Sequence, residues 1–170
     1  MHKVSKYGEP SPHTIIALVK DEPGVLCRVV TCWQERGHNI RSLAVGASEK
    51  PGYSRMTFVV EASTDPAELV AALEQLGEVV EIYDISAREF VSRELALIRV
   101  AGGRDMRQRL MDIVDIFKAK VIDVAPEAMT IEVTGHEATI DSLVRLLGDY
   151  DVVELVRTGR VSMVRGAHNS

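Results

Sequence analysis

Four segments of this sequence carry the same pattern, in which apolar residues recur at positions i, i+3, i+4 and i+7. That spacing places four side chains on one side of a helix and predicts a helix with one buried face. The pattern starts at Leu26, Leu69, Leu110 and Ile140. Strand-like runs separate these segments, so the order strand, helix, strand, strand, helix, strand occurs twice. Such a repeat indicates an internal duplication, which constrains the fold more than any single segment does.

Each half of the chain predicts one βαββαβ unit, in which two helices cover one face of a four-stranded antiparallel sheet. The fold class is therefore α+β, with two tandem ferredoxin-like units. We expect a loose tail at residues 1–12, a first domain at 13–87 and a second at 88–170. Because each sheet would have unpaired edges and one uncovered face, we expect two chains to pair side by side as a homodimer or higher oligomer. The predicted strands are residues 13–20, 39–48, 53–62, 78–86, 94–101, 120–125, 129–135 and 152–157.

The connection between the first predicted strand and the first predicted helix, residues 21–26, combines an acidic residue, a proline and a glycine. We call this segment the Pro-Gly corner. Asp21 is a candidate N-cap. The first N–H groups of a helix lack partners within the helix and lie at the positive end of its dipole, so they favour a bound carboxylate. Gly24 has no side chain to keep such an anion away. The alternative is a simple turn that binds nothing.

Composition and charge narrow the classes of function. The chain has 170 residues and a formal net charge of −5, which argues against a general nucleic-acid surface. No apolar run approaches the length of a membrane span and no secretory signal is visible, so we expect a cytoplasmic protein that does not bind membranes. The histidines show no metal-ligand spacing, and Cys27 and Cys32 are expected to be buried, unpaired thiols. No catalytic nucleophile, base and orienting group can be assembled.

The residues around the Pro-Gly corner resemble a known family. The pattern Asp-x-Pro-Gly-Val-Leu-x-Arg-Val at residues 21–29, followed by residues 35–43, is similar to the amino-acid-binding ACT domain, and specifically to the small regulatory subunit of acetolactate (acetohydroxyacid) synthase. Further blocks of that subunit follow in the expected order, so the resemblance covers about residues 13–166. These blocks are residues 54–57, 92–98, 122–126 and 157–166.

This resemblance implies a non-catalytic subunit that activates a large catalytic subunit and confers feedback inhibition by valine or a related branched-chain amino acid. Thiamine diphosphate, magnesium and FAD are expected in the large subunit, and no cofactor or metal is expected in this chain. In the family the effector lies between a helix start and a strand of the dimer mate. The effector-binding residues carried over to this chain are Asp21, Gly24, Val25, Leu26, Cys27, Asn39 and Ile40.

The resemblance assigns a role to most of these positions. The backbone of Gly24, Val25 and Leu26 would hold the effector carboxylate, and Asp21 would receive its ammonium group or cap the helix. Asn39 and Ile40 of the mate would add an amide and an apolar wall. The alternative function is a free-standing amino-acid sensor with two ACT domains, or a transcription-linked regulator, which would act without a large subunit. An independent enzyme is the third and weakest class.

Overall fold

The structure, a computed structural model, describes residues 12–61 and 63–166. The predicted tail at residues 1–12 lies, apart from Pro12, outside the described residues. The strands are β1 His13–Lys20, β2 Ile40–Ala47, β3 Tyr53–Val60, β4 Val79–Asp84, β5 Phe90–Ala101, β6 Lys120–Ala125, β7 Ala128–Gly135, β8 Asp151–Arg157 and β9 Val161–Val164. The helices are α1 Val25–Gln34, α2 Pro66–Glu74, α3 Arg104–Phe117 and α4 Glu137–Leu147. The duplicated βαββαβ order is confirmed, and β9 is an addition that the sequence pattern did not predict.

The first unit contains a four-stranded antiparallel sheet with the order β2-β3-β1-β4. Successive side chains of a strand point to opposite faces, and Ile15, Ala17 and Val19 of β1 join one buried cluster with residues of α1 and α2. Both helices therefore cover the same face of this sheet. Strand β1 is buried along nearly its whole length, as expected of a central strand.

The second unit repeats this arrangement. Its sheet has the order β6-β7-β5-β8, and Ala96, Ile98 and Val100 of β5 pack in one cluster with residues of α3 and α4. The predicted helical faces are confirmed here, because Leu110, Ile113, Val114, Ile140 and Leu143 belong to the cluster and Val144 packs against it. The two ferredoxin-like units of the prediction are thus both present.

Helices α2 and α3 begin with different kinds of N-cap. Helix α2 follows Asp65, whose carboxylate accepts a hydrogen bond of 2.9 Å from the Ala67 N–H. Gly103 is the N-cap of α3, and its position has no side chain to accept such a bond. Asp105 lies inside the first turn of α3, where its negative charge faces the positive end of the helix dipole.

An ion-pair cluster joins three elements of the second unit. Arg157 at the end of β8 forms a two-pronged interaction with Glu94 of β5, with distances of 2.8 Å from Nε to Oε1 and 2.6 Å from Nη2 to Oε2. Its Nη1 also donates to Asp141 of α4 at 2.7 Å. Hydrogen bonding to Glu94, and secondarily to Asp141, raises the pKa of Arg157 against the opposing effect of burial.

The last described segment returns to the first unit. The backbone N–H of Arg160 donates to Ser42 Oγ at 3.0 Å, and its Nη1 donates to Thr14 Oγ1 at 2.9 Å. The described residues from Arg160 onward accordingly group with those up to Val91, and Ser92–Gly159 forms the second unit. Local periodicity did not predict this segment as a strand, because a run of four residues carries no sign of a distant partner.

The cysteines are not both buried. Cys27 is exposed and Cys32 is half-buried, and both are free thiols. The expectation of a buried thiol is wrong for Cys27, because the buried face of α1 consists of Val25, Val29 and Trp33. In the part of the chain that the structure describes, no three His, Cys, Asp or Glu side chains are grouped to hold a metal ion. No helix there combines the length and apolar character needed to cross a bilayer.

Candidate functional site

Two backbone hydrogen bonds hold the base of the Pro-Gly corner. The Lys20 N–H donates to the Glu78 carbonyl at 2.9 Å, just before β4. The Asp21 N–H donates to the Gly52 carbonyl, also at 2.9 Å, in the turn between β2 and β3. Because β1 lies between β3 and β4, the chain is anchored on both sides where it leaves the sheet. The helix start that follows therefore has a fixed position.

Gly24 gives the corner its sharp change of direction. Its φ of 85° and ψ of −8° lie in the left-handed region, which glycine occupies without steric cost. Gly24 is also the N-cap of α1, and no side chain in the described residues caps this helix. The prediction that Asp21 caps the helix is wrong, because α1 begins at Val25, three positions later than a cap at residue 21 requires.

The first turn of α1 leaves two backbone donors available. The Val25 N–H donates to the Glu22 carbonyl at 3.3 Å, and the first helical bond runs from the Arg28 N–H to the Gly24 carbonyl at 3.0 Å. The N–H groups of Leu26 and Cys27 have no acceptor within residues 12–61 and 63–166. They lie at the positive end of the helix dipole, so the turn favours a bound anion.

The side chains of this turn divide between core and surface. Val25 is 3% exposed and belongs to the core of the first unit, whereas Leu26 is 43% exposed. The prediction that Leu26 begins the buried face is wrong, because that face follows Val25, Val29 and Trp33, at i, i+4 and i+8. An exposed apolar side chain thus lies beside the two available N–H groups. Asp21 and Cys27 are also exposed.

Arg28 lies beside the corner, and the sequence did not point to it as a site residue. A Cβ atom on Gly24 would lie 3.1 Å from Arg28 Nη1, so the guanidinium group occupies the space beside the glycine. Arg28 Nη2 lies 2.8 Å from Glu78 Oε1. The spacing of Gly24 and Arg28 gave a usable signal, since residues four apart on a helix are neighbours.

Asn39 and Ile40 lie at the far end of α1. They line an open cavity of about 410 Å³ with Val30, Trp33, Gln34, Gly37 and His38. A helix of ten residues is about 15 Å long, so one chain holds this cavity and the Pro-Gly corner well apart. Within one chain the structure brings Asp21, Gly24, Val25, Leu26 and Cys27 together, and it does not bring Asn39 or Ile40 to them.

The equivalent connection in the second unit has a different construction. Gly103 before α3 has an extended backbone, with φ of −74° and ψ of −171°. Arg107 Nη2 donates to the carbonyls of Ala125 and Pro126, at 2.9 and 3.2 Å. This arginine therefore stabilises the turn between β6 and β7.

Comparison with family models matches both units of the chain. Residues 15–81 match the acetohydroxyacid synthase small-subunit-like ACT domain, and residues 93–166 match the small subunit of acetolactate synthase. Among curated proteins, the acetolactate synthase small subunit of Mycobacterium bovis is 43% identical over 158 residues, covering 92% of this chain and 94% of that protein. The chain belongs to the acetolactate synthase small subunit family.

Other small subunits show the same similarity over nearly their full length. The probable small subunit of Archaeoglobus fulgidus is 42% identical over 156 residues, covering 91% of this chain and 97% of that protein. The crystal structure of the Thermotoga maritima small subunit matches with a TM-score of 0.83 and 35% identity, covering 92% of this chain and 99% of that chain. The resemblance drawn from the sequence blocks is thereby confirmed.

Within this small subunit the cavity at the far end of α1 borders the core. Trp33 lines it and is fully buried, with its ring centroid 4.3 Å from that of Phe58 at an interplanar angle of 52°. Ile40 is half-buried and packs against the same core, while Asn39 is exposed. The exposed amide of Asn39 is therefore available to a group outside this chain.

Proposed function

We propose that this small subunit activates the large catalytic subunit of acetolactate synthase and makes it sensitive to valine or a related branched-chain amino acid. The large subunit would bind thiamine diphosphate, magnesium and FAD and would condense two pyruvates, or pyruvate with 2-oxobutanoate, in the cytoplasm. Membership of the small subunit family supports the partnership. The chain described here would contribute regulation and no catalytic residue.

The observation that carries the effector site is the pair of available N–H groups at Leu26 and Cys27. A carboxylate docked against them would receive two hydrogen bonds at the positive end of a helix. The exposed Leu26 side chain offers an apolar contact for a branched side chain. The carboxylate of Asp21 is exposed nearby and would receive the ammonium group.

A second copy of the chain would complete the site. Asn39 and Ile40 of one copy would meet the Pro-Gly corner of the other, which a single chain cannot arrange because the two places lie at opposite ends of α1. We therefore propose a homodimer as the regulatory unit. The effector then couples to the arrangement of the two copies, and it regulates only if it binds one arrangement better than another.

The expected affinity follows from the size of the ligand. Valine has few non-hydrogen atoms, so binding in the micromolar to millimolar range is expected. Coupling to the catalytic subunit of about 1 to 3 kcal/mol corresponds to a change of roughly 5- to 150-fold in the affinity of one site when the other is occupied.

Reconstitution with the cognate catalytic subunit tests the proposal. Acetolactate formation would be measured for the large subunit alone, for the mixture, and for the mixture with increasing valine. We expect the small subunit to raise the rate and valine to lower the raised rate, while the large subunit alone remains insensitive to valine. Leucine and isoleucine in parallel identify the preferred effector.

The possible results separate the two parts of the proposal. No rise in rate on mixing would contradict the activating role and favour a free-standing amino-acid sensor. A rise in rate with no response to any branched-chain amino acid would leave activation intact and contradict feedback inhibition. Equilibrium sedimentation of the small subunit with and without valine tests the dimer independently.

A further inference from the structure

The guanidinium group of Arg28 lies at the Pro-Gly corner and is only partly used. Its Nη1 borders Gly24, and its Nη2 is bonded to one carboxylate oxygen of Glu78. Among the residues that the structure describes, Glu78 is the acceptor recorded for this group. A guanidinium carries five N–H donors in a rigid fork that suits a carboxylate. A carboxylate that engages this fork with two parallel hydrogen bonds would have to displace Glu78 from it.

The position of Glu78 is set by its backbone and not by its ion pair. The Glu78 carbonyl accepts the hydrogen bond from the Lys20 N–H at 2.9 Å, at the end of β1. The carboxylate thus remains near Arg28 whether or not the two side chains touch. The Arg28 side chain is 45% exposed and that of Glu78 is 25% exposed, so the ion pair is screened and contributes little to the stability of the fold.

We propose that Arg28 binds the carboxylate group of the effector amino acid, and that Glu78 competes with the effector for Arg28. This inference rests on the proposed function, in which the effector carboxylate docks at the first turn of α1. The effector would then meet the N–H groups of Leu26 and Cys27 from one side and the guanidinium group from the other. Glu78 occupies the guanidinium group when no effector is bound.

The competition connects the site to the sheet. Arg28 belongs to α1, and Glu78 directly precedes β4, so the ion pair links the first helix to an edge strand. An effector that takes the guanidinium group breaks this link at the moment of binding. The regulatory consequence is a change in the contact between α1 and β4.

The test uses the opposite effects that replacing Arg28 and replacing Glu78 should have on the affinity for valine. Isothermal titration calorimetry would measure L-valine binding to the wild-type chain, Arg28→Gln and Glu78→Gln. We expect Arg28→Gln to weaken binding about tenfold, because a charge-assisted hydrogen bond to the carboxylate is lost. We expect Glu78→Gln to tighten binding about threefold, because an exposed competing carboxylate is removed.

A second probe identifies the group that Arg28 recognises. L-Valinamide has the side chain and ammonium group of valine but no carboxylate. The wild-type chain should prefer valine over valinamide, and Arg28→Gln should lose most of that preference. Arg28→Lys keeps the positive charge but lacks the planar pair of guanidinium donors. This variant should therefore retain part of the preference for valine over valinamide.

Two neighbouring residues supply matched controls. Arg36→Gln changes an arginine at the other end of α1, where it donates to the Cys32 carbonyl. Glu81→Gln breaks an ion pair between Glu81 of β4 and Lys50 of the turn between β2 and β3. Both variants should bind valine within about twofold of the wild type, as expected of surface changes outside the site.

The outcomes distinguish this inference from the proposed function. If the wild-type chain binds no branched-chain amino acid, the effector site of the proposed function fails and the inference fails with it. If the wild-type chain binds valine and Arg28→Gln binds it equally well, the inference alone is overturned. Weaker valine binding in both Arg28→Gln and Glu78→Gln would also overturn the inference. A purely structural ion pair is lost in the same way whichever of its two partners is replaced.

Discussion

Gly24 has a backbone conformation that other residues adopt only with strain. The sequence predicted an anion-binding turn from the absence of a side chain at this position. The structure adds a positive φ and shows that the space beside Gly24 already holds the Arg28 guanidinium group. The local motif indicates that glycine is required at residue 24. The motif alone does not show that the Arg28 side chain fills the space beside that glycine.

Substitutions at Gly24 separate backbone strain from charge. Asn and Asp tolerate the left-handed region better than other residues and have the same shape, so Gly24→Asn and Gly24→Asp should each cost about 1 kcal/mol of stability. The Asp variant also places a negative charge where the effector carboxylate docks. We expect valine to inhibit the reconstituted Asp enzyme at least about tenfold more weakly than the Asn enzyme.

The Asn variant is the control for this comparison, and urea unfolding of both variants verifies that they lose similar stability. Equal valine sensitivity in the two reconstituted enzymes would contradict a carboxylate site at the Pro-Gly corner.

At the scale of elements, apolar periodicity predicted all four helices and eight of the nine strands found in the described residues. Periodicity reports which face of an element is buried, and this signal is local. Residue type did not predict the start of α1, because Asp21 was assigned as the cap and the observed N-cap is Gly24, three positions later. Many polar residues can cap a helix, so the tertiary anchors at Lys20 and Asp21 decide where α1 begins.

The cluster around Arg157 should dominate the electrostatic stability of the second unit. Glu94→Ala leaves the Arg157 guanidinium without its two-pronged partner, and the Glu94 side chain is only 7% exposed. We expect a loss of about 2 to 3 kcal/mol in the free energy of unfolding, measured by urea denaturation.

Glu154→Ala serves as the matched control, because Glu154 pairs with Arg99 between the same two strands. Both of those side chains are about half exposed. Removal of this pair should change the free energy of unfolding by less than about 0.5 kcal/mol. Similar losses in the two variants would show that burial does not govern the strength of these ion pairs.

At the scale of the whole molecule, the end of the described chain returns to its beginning. Arg160 and Thr14 are 146 positions apart and share a hydrogen bond. Strand β9 carries four residues in strand conformation and was not predicted, because its pairing partner lies about 70 positions earlier in β5. Contacts of such long range leave no trace in local periodicity, which explains why neither β9 nor the Arg160–Thr14 hydrogen bond was predicted.

Removal of the Arg160 side chain should weaken the first unit. Thr14 is 1% exposed, so Arg160→Ala deprives a buried hydroxyl of a charged partner. We expect a loss of about 1 to 2 kcal/mol in the free energy of unfolding. Arg165→Ala is the control, because the structural contact of Arg165 is its backbone N–H, bonded to the Glu89 carbonyl, and this bond survives the substitution. A loss of equal size in both variants would contradict a specific role for Arg160.

The two helices of the first unit begin differently. The Asp65 carboxylate completes the first turn of α2, whereas no described side chain does so for α1. Amide protons at Leu26 and Cys27 should therefore exchange with solvent faster than those in the first turn of α2. Under the proposed function a small metabolite supplies the acceptor that the described residues do not provide. The fraction of molecules with an ordered first turn of α1 would then rise with the concentration of that metabolite in the cell.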